Sequence, residues 1–205
     1  MFAFIHSFCL QDIVKDFAQK ILGEIFVKSF YRLSYTLLSV LTTAAAFALI
    51  LSLPDQTLFK CPPFLRWLML LVRFAGVLFG MLTFRVLDFL EFAGFRQAWR
   101  YIRGEMPWGD KEGLTINRLI TCGTYGVVRH PLYLAGVVLF TFDPDMTRNW
   151  LTVAVLGDAY FIYGAVTEEK RLKKRFGDEY LHYIQRVPMF IPGFKPGKKK
   201  PTRFL

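Results

Sequence analysis

Tyr125, Arg129, His130 and Tyr133 lie within nine residues of one another, and the adjacent carboxylates Glu168 and Glu169 follow about 35 residues later. Beyond them come Phe176, Gly177, Tyr180, Tyr183 and Arg186. Carboxylates can hold an ammonium or face a sulfonium, whereas arginine, histidine and helix N-terminal amides can hold a carboxylate. With aromatic rings as walls, such a set suits a zwitterionic, partly aromatic ligand. The sequence has no GxGxxG, phosphate-loop, HExxH or GxSxG pattern. His6, His130 and His182 lack metal-ligand spacing, so no metal site is expected.

The elements that carry these residues are read from apolar runs. Of 205 residues, 54% are hydrophobic and 22 are Phe. Residues 33–53 hold no charge: 21 residues, or about 31 Å of helix, enough to cross a hydrocarbon core of about 30 Å. A second run covers 64–87, with Arg66 and Arg85 near its ends and Arg73 inside; it is expected to form a hairpin with the first. Residues 88–103 read as an amphipathic helix, followed by a structured loop to 130. A third run, 131–142, is short, and a fourth, 150–166, continues into a charged amphipathic helix to 186 with Gly177 as its weak point. Asp158 sits within the fourth run and is expected to pair with Arg73.

The chain thus reads as an all-α polytopic membrane protein with about four transmembrane helices in two hairpins, plus interfacial helices. Its expected parts are an N-terminal amphipathic segment (1–32), a hairpin (33–87) and a binding region with a second hairpin and tail (88–205). The first segment reads as an interfacial helix over 8–31, not as a signal peptide, because Asp12, Lys15 and Asp16 interrupt it. Cys9, Cys61 and Cys122 imply neither a disulfide framework nor zinc. The net charge of +10 lies beside apolar segments, with eleven Lys or Arg in 168–205, which fits anionic lipid headgroups and not nucleic acid. The positive-inside rule places the N-terminus, the 88–130 loop and the C-terminal tail in the cytoplasm, with 54–63 and 143–149 outside.

That topology makes the third and fourth helices antiparallel neighbours. Arg129-His130 open one and Glu168-Glu169 end the other, so positions about 38 apart meet in one site. Each residue also has a plain explanation. Tyr125 and Tyr133 can be interfacial aromatics, Arg129 a topology signal, His130-Pro131 a helix start, and Glu169 a partner of Lys173 one turn on. Their joint occurrence at two facing helix ends weighs against those readings. The set fits S-adenosylmethionine without singling it out.

The motif Gly123-x-Tyr125-x-x-Val128-Arg129-His130-Pro131-x-Tyr133-x-x-Gly136, followed by Glu168-Glu169-x-x-Leu172-x-x-x-Phe176-Gly177-x-x-Tyr180-x-x-Tyr183-x-x-Arg186-Val187-Pro188, resembles the isoprenylcysteine carboxyl methyltransferase family. Related phospholipid and small-thiol methyltransferases share much of it. The resemblance covers about 117–192. It implies an integral membrane enzyme that uses S-adenosyl-L-methionine from the cytosol, with a lipophilic or small acceptor as partner. Carried over residue by residue, the cofactor pocket falls on Asn117, Arg118, Leu119, Ile120, Tyr125, Arg129, His130, Pro131, Leu132, Tyr133 and Glu168. Glu169 and Arg186 are the candidates for substrate contact, and no catalytic residue is assigned. Gly126 and Gly164 depart from the pattern where relatives can carry arginine, which leaves the acceptor open among thiols, carboxylates and amines. A sterol-reductase-like enzyme shares Arg-His-Pro-x-Tyr, but it should have Asn at Leu132 and Asp near Gly136. A non-enzymatic membrane protein is the other alternative.

Overall fold

The computed structural model describes residues 8–9, 11–115 and 118–193. It divides into two compact units: the described residues up to Asp55 with those of Leu87–Arg118, and Gln56–Val86 with those from Leu119 onward. The first two apolar runs therefore fall in different units.

In the first unit, α1 (Asp12–Leu22) stops at Gly23, whose φ of 85° an L side chain rarely adopts. α2 (Glu24–Ser52) then runs unbroken into the apolar stretch. The segment expected as one helix over 8–31 is thus two, and the membrane helix starts nine residues earlier than the uncharged run. The charges that ended the sequence reading are tolerated because they are paired: Glu24 with Lys28 at 2.8 Å, and Arg32 with Glu112 at 2.9 Å. The expected 88–103 helix is also broken, into α3 (Phe89–Ala93) and α4 (Phe95–Ile102). Gly94 between them has φ 92°, and a Cβ there would strike the backbone of Leu33. The Asp88 side chain caps α3 by accepting from the Glu91 amide at 3.1 Å.

In the second unit, α5 (Pro63–Thr83), α6 (Pro131–Thr141) and α7 (Arg148–Arg186) pack with α6 in the middle. Gly76 and Gly80 let α5 approach α6 closely: a Cβ on them would lie 2.6 Å from Val138 and 2.8 Å from Ala135. Two short strands, β1 (Thr57–Lys60) and β2 (Asp145–Thr147), pair antiparallel and join the loops before α5 and α7. Thr147 caps α7 by accepting from the Trp150 amide at 3.1 Å. α7 carries a non-helical residue at Gly177 (φ 52°, ψ −125°), the expected weak point.

Arg73 does not pair with Asp158. Its Nη1 donates to Asp143 at 2.8 Å, because Asp143 follows α6 on the packed neighbour of α5. Asp158 instead accepts from Thr141 Oγ1 at 2.6 Å. α2, α5 and α7 are long and apolar enough to cross a membrane, while α6 has 11 residues. Leu41, Trp67 and Phe74 are among the large apolar side chains left exposed on them, which suits a lipid surface. The fold is an all-α polytopic membrane protein.

Candidate functional site

The segment before α6 is fixed by short-range geometry. A 3-10 turn (Gly123–Gly126) presents Thr124, whose hydroxyl donates to Thr83 at the end of α5, 3.0 Å away. The backbone then extends: Arg129 N–H donates to Pro188 O at 2.9 Å and His130 N–H to Met189 O at 3.3 Å. Pro131, fully buried, opens α6 at a position where its missing N–H costs nothing. Beyond Gly177, Tyr180, Tyr183 and Val187 bury together against Leu119, Leu172, Phe176 and Ile184. The Tyr183 hydroxyl donates to Tyr125 O at 2.7 Å, tying the end of α7 to the 3-10 turn.

Four charged or titratable groups meet above this floor. Arg129 is buried and donates through Nε (2.8 Å) and Nη2 (2.5 Å) to Glu169 Oε1, and through Nη1 to Val187 O at 2.6 Å. His130, also buried, lies between both carboxylates: Nδ1 is 3.6 Å from Glu168 Oε2 and Nε2 is 3.5 Å from Glu169 Oε1. These separations are long for hydrogen bonds, so the attraction is mainly between charges. The His130 ring stacks on Tyr133 (5.6 Å, 15°) and lies 5.9 Å from Phe190. The Tyr133 hydroxyl acts on the Glu168 carboxyl and favours its charged form. Glu168 itself keeps 39% of its side chain accessible, against 3% for His130.

Both carboxylates follow the apolar run 150–166, outside the bilayer stretch. Burial alone would raise the affinity of Glu168 for a proton, but His130, Arg171 and the Tyr133 hydroxyl outweigh it and hold its carboxyl below the usual range. Glu169 is lowered in the same way, with burial outweighed by His130 and Arg129. Burial opposes a proton on His130, yet the two carboxylates prevail and raise it above its ordinary value. Tyr125 is raised by burial first and by the charge of Glu168 second.

The structure therefore brings Arg129, His130, Tyr133, Glu168 and Glu169 into one cluster, with Tyr125 at its border. Arg129 and Glu169 face each other and the backbone, as buttresses. Leu132 is half-buried on α6, and Leu119 packs on the tyrosine floor, beside half-buried Ile120. Arg118 falls in the other unit, and Asn117 lies outside the described residues. Arg186 is not in the cluster; it is exposed and lines a separate recess of about 470 Å³ with Glu179, His182 and Gln185.

Two site residues escaped the sequence reading. Phe161 stacks on Tyr133 at 5.8 Å and stands seven residues, two helical turns, before Glu168, a spacing that points to it. Phe190 lies past the helix end, where no period applies. With Phe140, stacked on Phe161 at 5.8 Å, the rings form a column along the α6–α7 seam. Gly136 makes room for it, since a Cβ there would lie 2.5 Å from Phe161.

No protein-family model and no solved structure matches the chain. Among curated proteins, it is 32% identical over 126 residues to methanethiol S-methyltransferase 2 of Bradyrhizobium diazoefficiens, covering 62% of this chain and 46% of the relative. It is 30% identical over 164 residues to methanethiol S-methyltransferase of a Pseudomonas species (78% and 59%). It is 33% identical over 79 residues to protein-S-isoprenylcysteine O-methyltransferase B of Arabidopsis thaliana (37% and 40%). The chain spans about half the length of the curated relatives it matches. Fold and site define a helical membrane protein with a buried Arg-His and Glu-Glu cluster at adjoining helix ends. Over the stretch that aligns, the chain has homologues in the isoprenylcysteine carboxyl methyltransferase-like family, at 30–36% identity.

Proposed function

We propose that the protein transfers a methyl group from S-adenosyl-L-methionine to a compact acceptor, a small thiol first among them, at the cytoplasmic membrane face. One observation carries the reading: Glu168 keeps 39% of its side chain accessible at the edge of a buried cluster, with an aromatic wall beside it. This donor set fits the cofactor, because a carboxylate attracts its ammonium or sulfonium and ring faces favour a cation. When bound, the cofactor supplies an electrophilic methyl group on a sulfonium sulfur.

The residues then have separate tasks. Glu168 and the Tyr133 ring hold the cationic ligand. Arg129 and Glu169 fix the end of α7 and the 187–189 backbone around His130. The two carboxylates favour the charged form of His130, and an imidazolium beside a thiol favours the reactive thiolate. The thiol would lose its proton to solvent before attack, and the thiolate would take the methyl group as the methyl–sulfonium bond breaks to leave the spent cofactor a neutral thioether. The residues' part is positioning and exclusion of water. The filled α6–α7 seam and the two relatives named for methanethiol support a small acceptor over a prenyl chain. The paired β1 and β2 support one shared side for the loops 54–63 and 143–149, and hence a cytoplasmic site at the opposite ends of their helices.

The test is a calorimetric titration of the purified chain in lipid nanodiscs with S-adenosylmethionine, with NADPH as the control. Saturable binding of the first alone is expected. No saturable binding of S-adenosylmethionine would overturn the reading.

A further inference from the structure

Lys15 and Asp16 of α1 are turned to protein partners, while its apolar ridge has none among the described residues. Lys15 is only 6% exposed, and its ammonium lies 2.5 Å from Glu112 Oε1. Arg32 on α2 takes the other oxygen of the same carboxylate at 2.9 Å. Asp16 pairs with Lys111. Glu112 is itself held in place, because its N–H donates to Asp110 Oδ1 at 2.9 Å. Against this clamp, Ile13 is 71%, Phe17 64% and Ile21 63% exposed. They stand at i, i+4 and i+8, so they form one outward ridge. Lys20, three residues after Phe17, is exposed at its flank.

We propose that this ridge enters the bilayer, so that α1 lies in the membrane interface and the Lys15–Glu112–Arg32 clamp holds it to the base of the α2 span. The occupant is lipid for three reasons. A single residue, Gly23, separates α1 from a helix that spans the membrane, so α1 sits at the boundary. The exposed apolar surface continues on α2 at Ile25 and Phe26, then into the lipid-facing run with Leu37 and Leu38. Lys20 can reach a lipid phosphate while the ridge beside it lies among acyl chains. The inference rests on the membrane fold and not on the proposed activity.

The test places nitroxide labels at positions 13, 17 and 21, and at position 12 on the polar side, one at a time. The background is the full chain carrying Cys9→Ser, Cys61→Ala and Cys122→Ser in lipid nanodiscs. Labels on the ridge should collide several-fold more with oxygen than with a water-soluble nickel chelate, and the label at 12 should show the reverse. Ridge labels that favour the nickel chelate would place the ridge in water and overturn the proposal. Ridge labels shielded from both reagents would mean a second copy or another protein covers it, which also overturns it. Phe17→Trp in the otherwise unaltered chain needs no cysteine removal. Its added emission should be quenched by lipids brominated near the top of the acyl chain, and emission indifferent to bromine would contradict lipid contact.

Discussion

Each unit buries a carboxylate between cations, and the two clusters end differently. In the first, Glu112 gives one oxygen to Lys15 and the other to Arg32, and only 10% of its side chain is accessible. In the second, Glu169 is closed by Arg129, but its neighbour Glu168 has His130 on one side and 39% accessibility on the other. The chemical groups are nearly the same. A cluster with every oxygen matched is a tie between chain segments, and a cluster with one carboxylate left accessible can take a ligand. Burial with a complete partner set gives structure, and burial with an incomplete one marks a candidate site.

The largest expected effects are on stability, and both clusters should show them. Arg129→Ala and Glu112→Ala each leave buried charge unmatched, at about 3–5 kcal/mol. Thermal unfolding in detergent should show a marked fall for both. A Glu112 variant as stable as the parent would mean that the first cluster is not a tie.

Ligand affinity should separate the two next. Glu168→Ala removes a charged contact of about 2–3 kcal/mol, or ~100-fold in S-adenosylmethionine affinity, with unfolding little changed. In Glu112→Ala, the folded fraction should bind as the parent does. Loss of affinity in both variants would erase the distinction.

A smaller effect comes from pH. The folded-state pKa of His130 is raised, so its contribution to stability is full below the unfolded value near 6.5 and is lost as pH rises through the higher folded value. A cationic ligand at Glu168 competes with the imidazolium, so its affinity should move the other way and strengthen across that rise. His130→Gln should flatten both profiles. Ligand affinity that weakens as pH rises through this window would contradict the arrangement.

The smallest effect concerns the wall of the open cluster. A Cβ at Gly164 would lie 3.4 Å from the Tyr133 hydroxyl, an ordinary contact, whereas one at Gly136 would lie 2.5 Å from Phe161. Gly164→Ala should change stability and thiol turnover little. Gly136→Ala should cost about 1–3 kcal/mol by overpacking, read by thermal unfolding.

Much of this was legible in the sequence where periodicity or lack of charge carries the signal. The runs at 33–53, 64–87 and 150–166 mark their helices because few charges interrupt them, and Gly177 is a break because only glycine suits its φ. Arg129-His130 could be brought to Glu168-Glu169 because a short turn makes α6 and α7 neighbours. What escaped depends on distant partners. Glu112 finds Lys15 and Arg32 some 80 or more residues away, and no local pattern announces that match. β1 and β2 have four and three residues, too few for alternation to register. Arg73 chose Asp143 over Asp158 because α6, and not α7, is its packed neighbour. That Arg129 bonds the 187 carbonyl could not be read before the chain past α7 was seen to return along His130.

Methyl transfer itself is the most direct measurement. The full chain in nanodiscs would be given S-adenosylmethionine with an isotopically labelled methyl group and a panel of small thiols, prenylcysteine and amines. The prediction is labelled thioether from a small thiol, lost in Glu168→Ala and kept by the folded fraction of Glu112→Ala. No labelled product from any acceptor, or product formed as fast by Glu168→Ala, would contradict it.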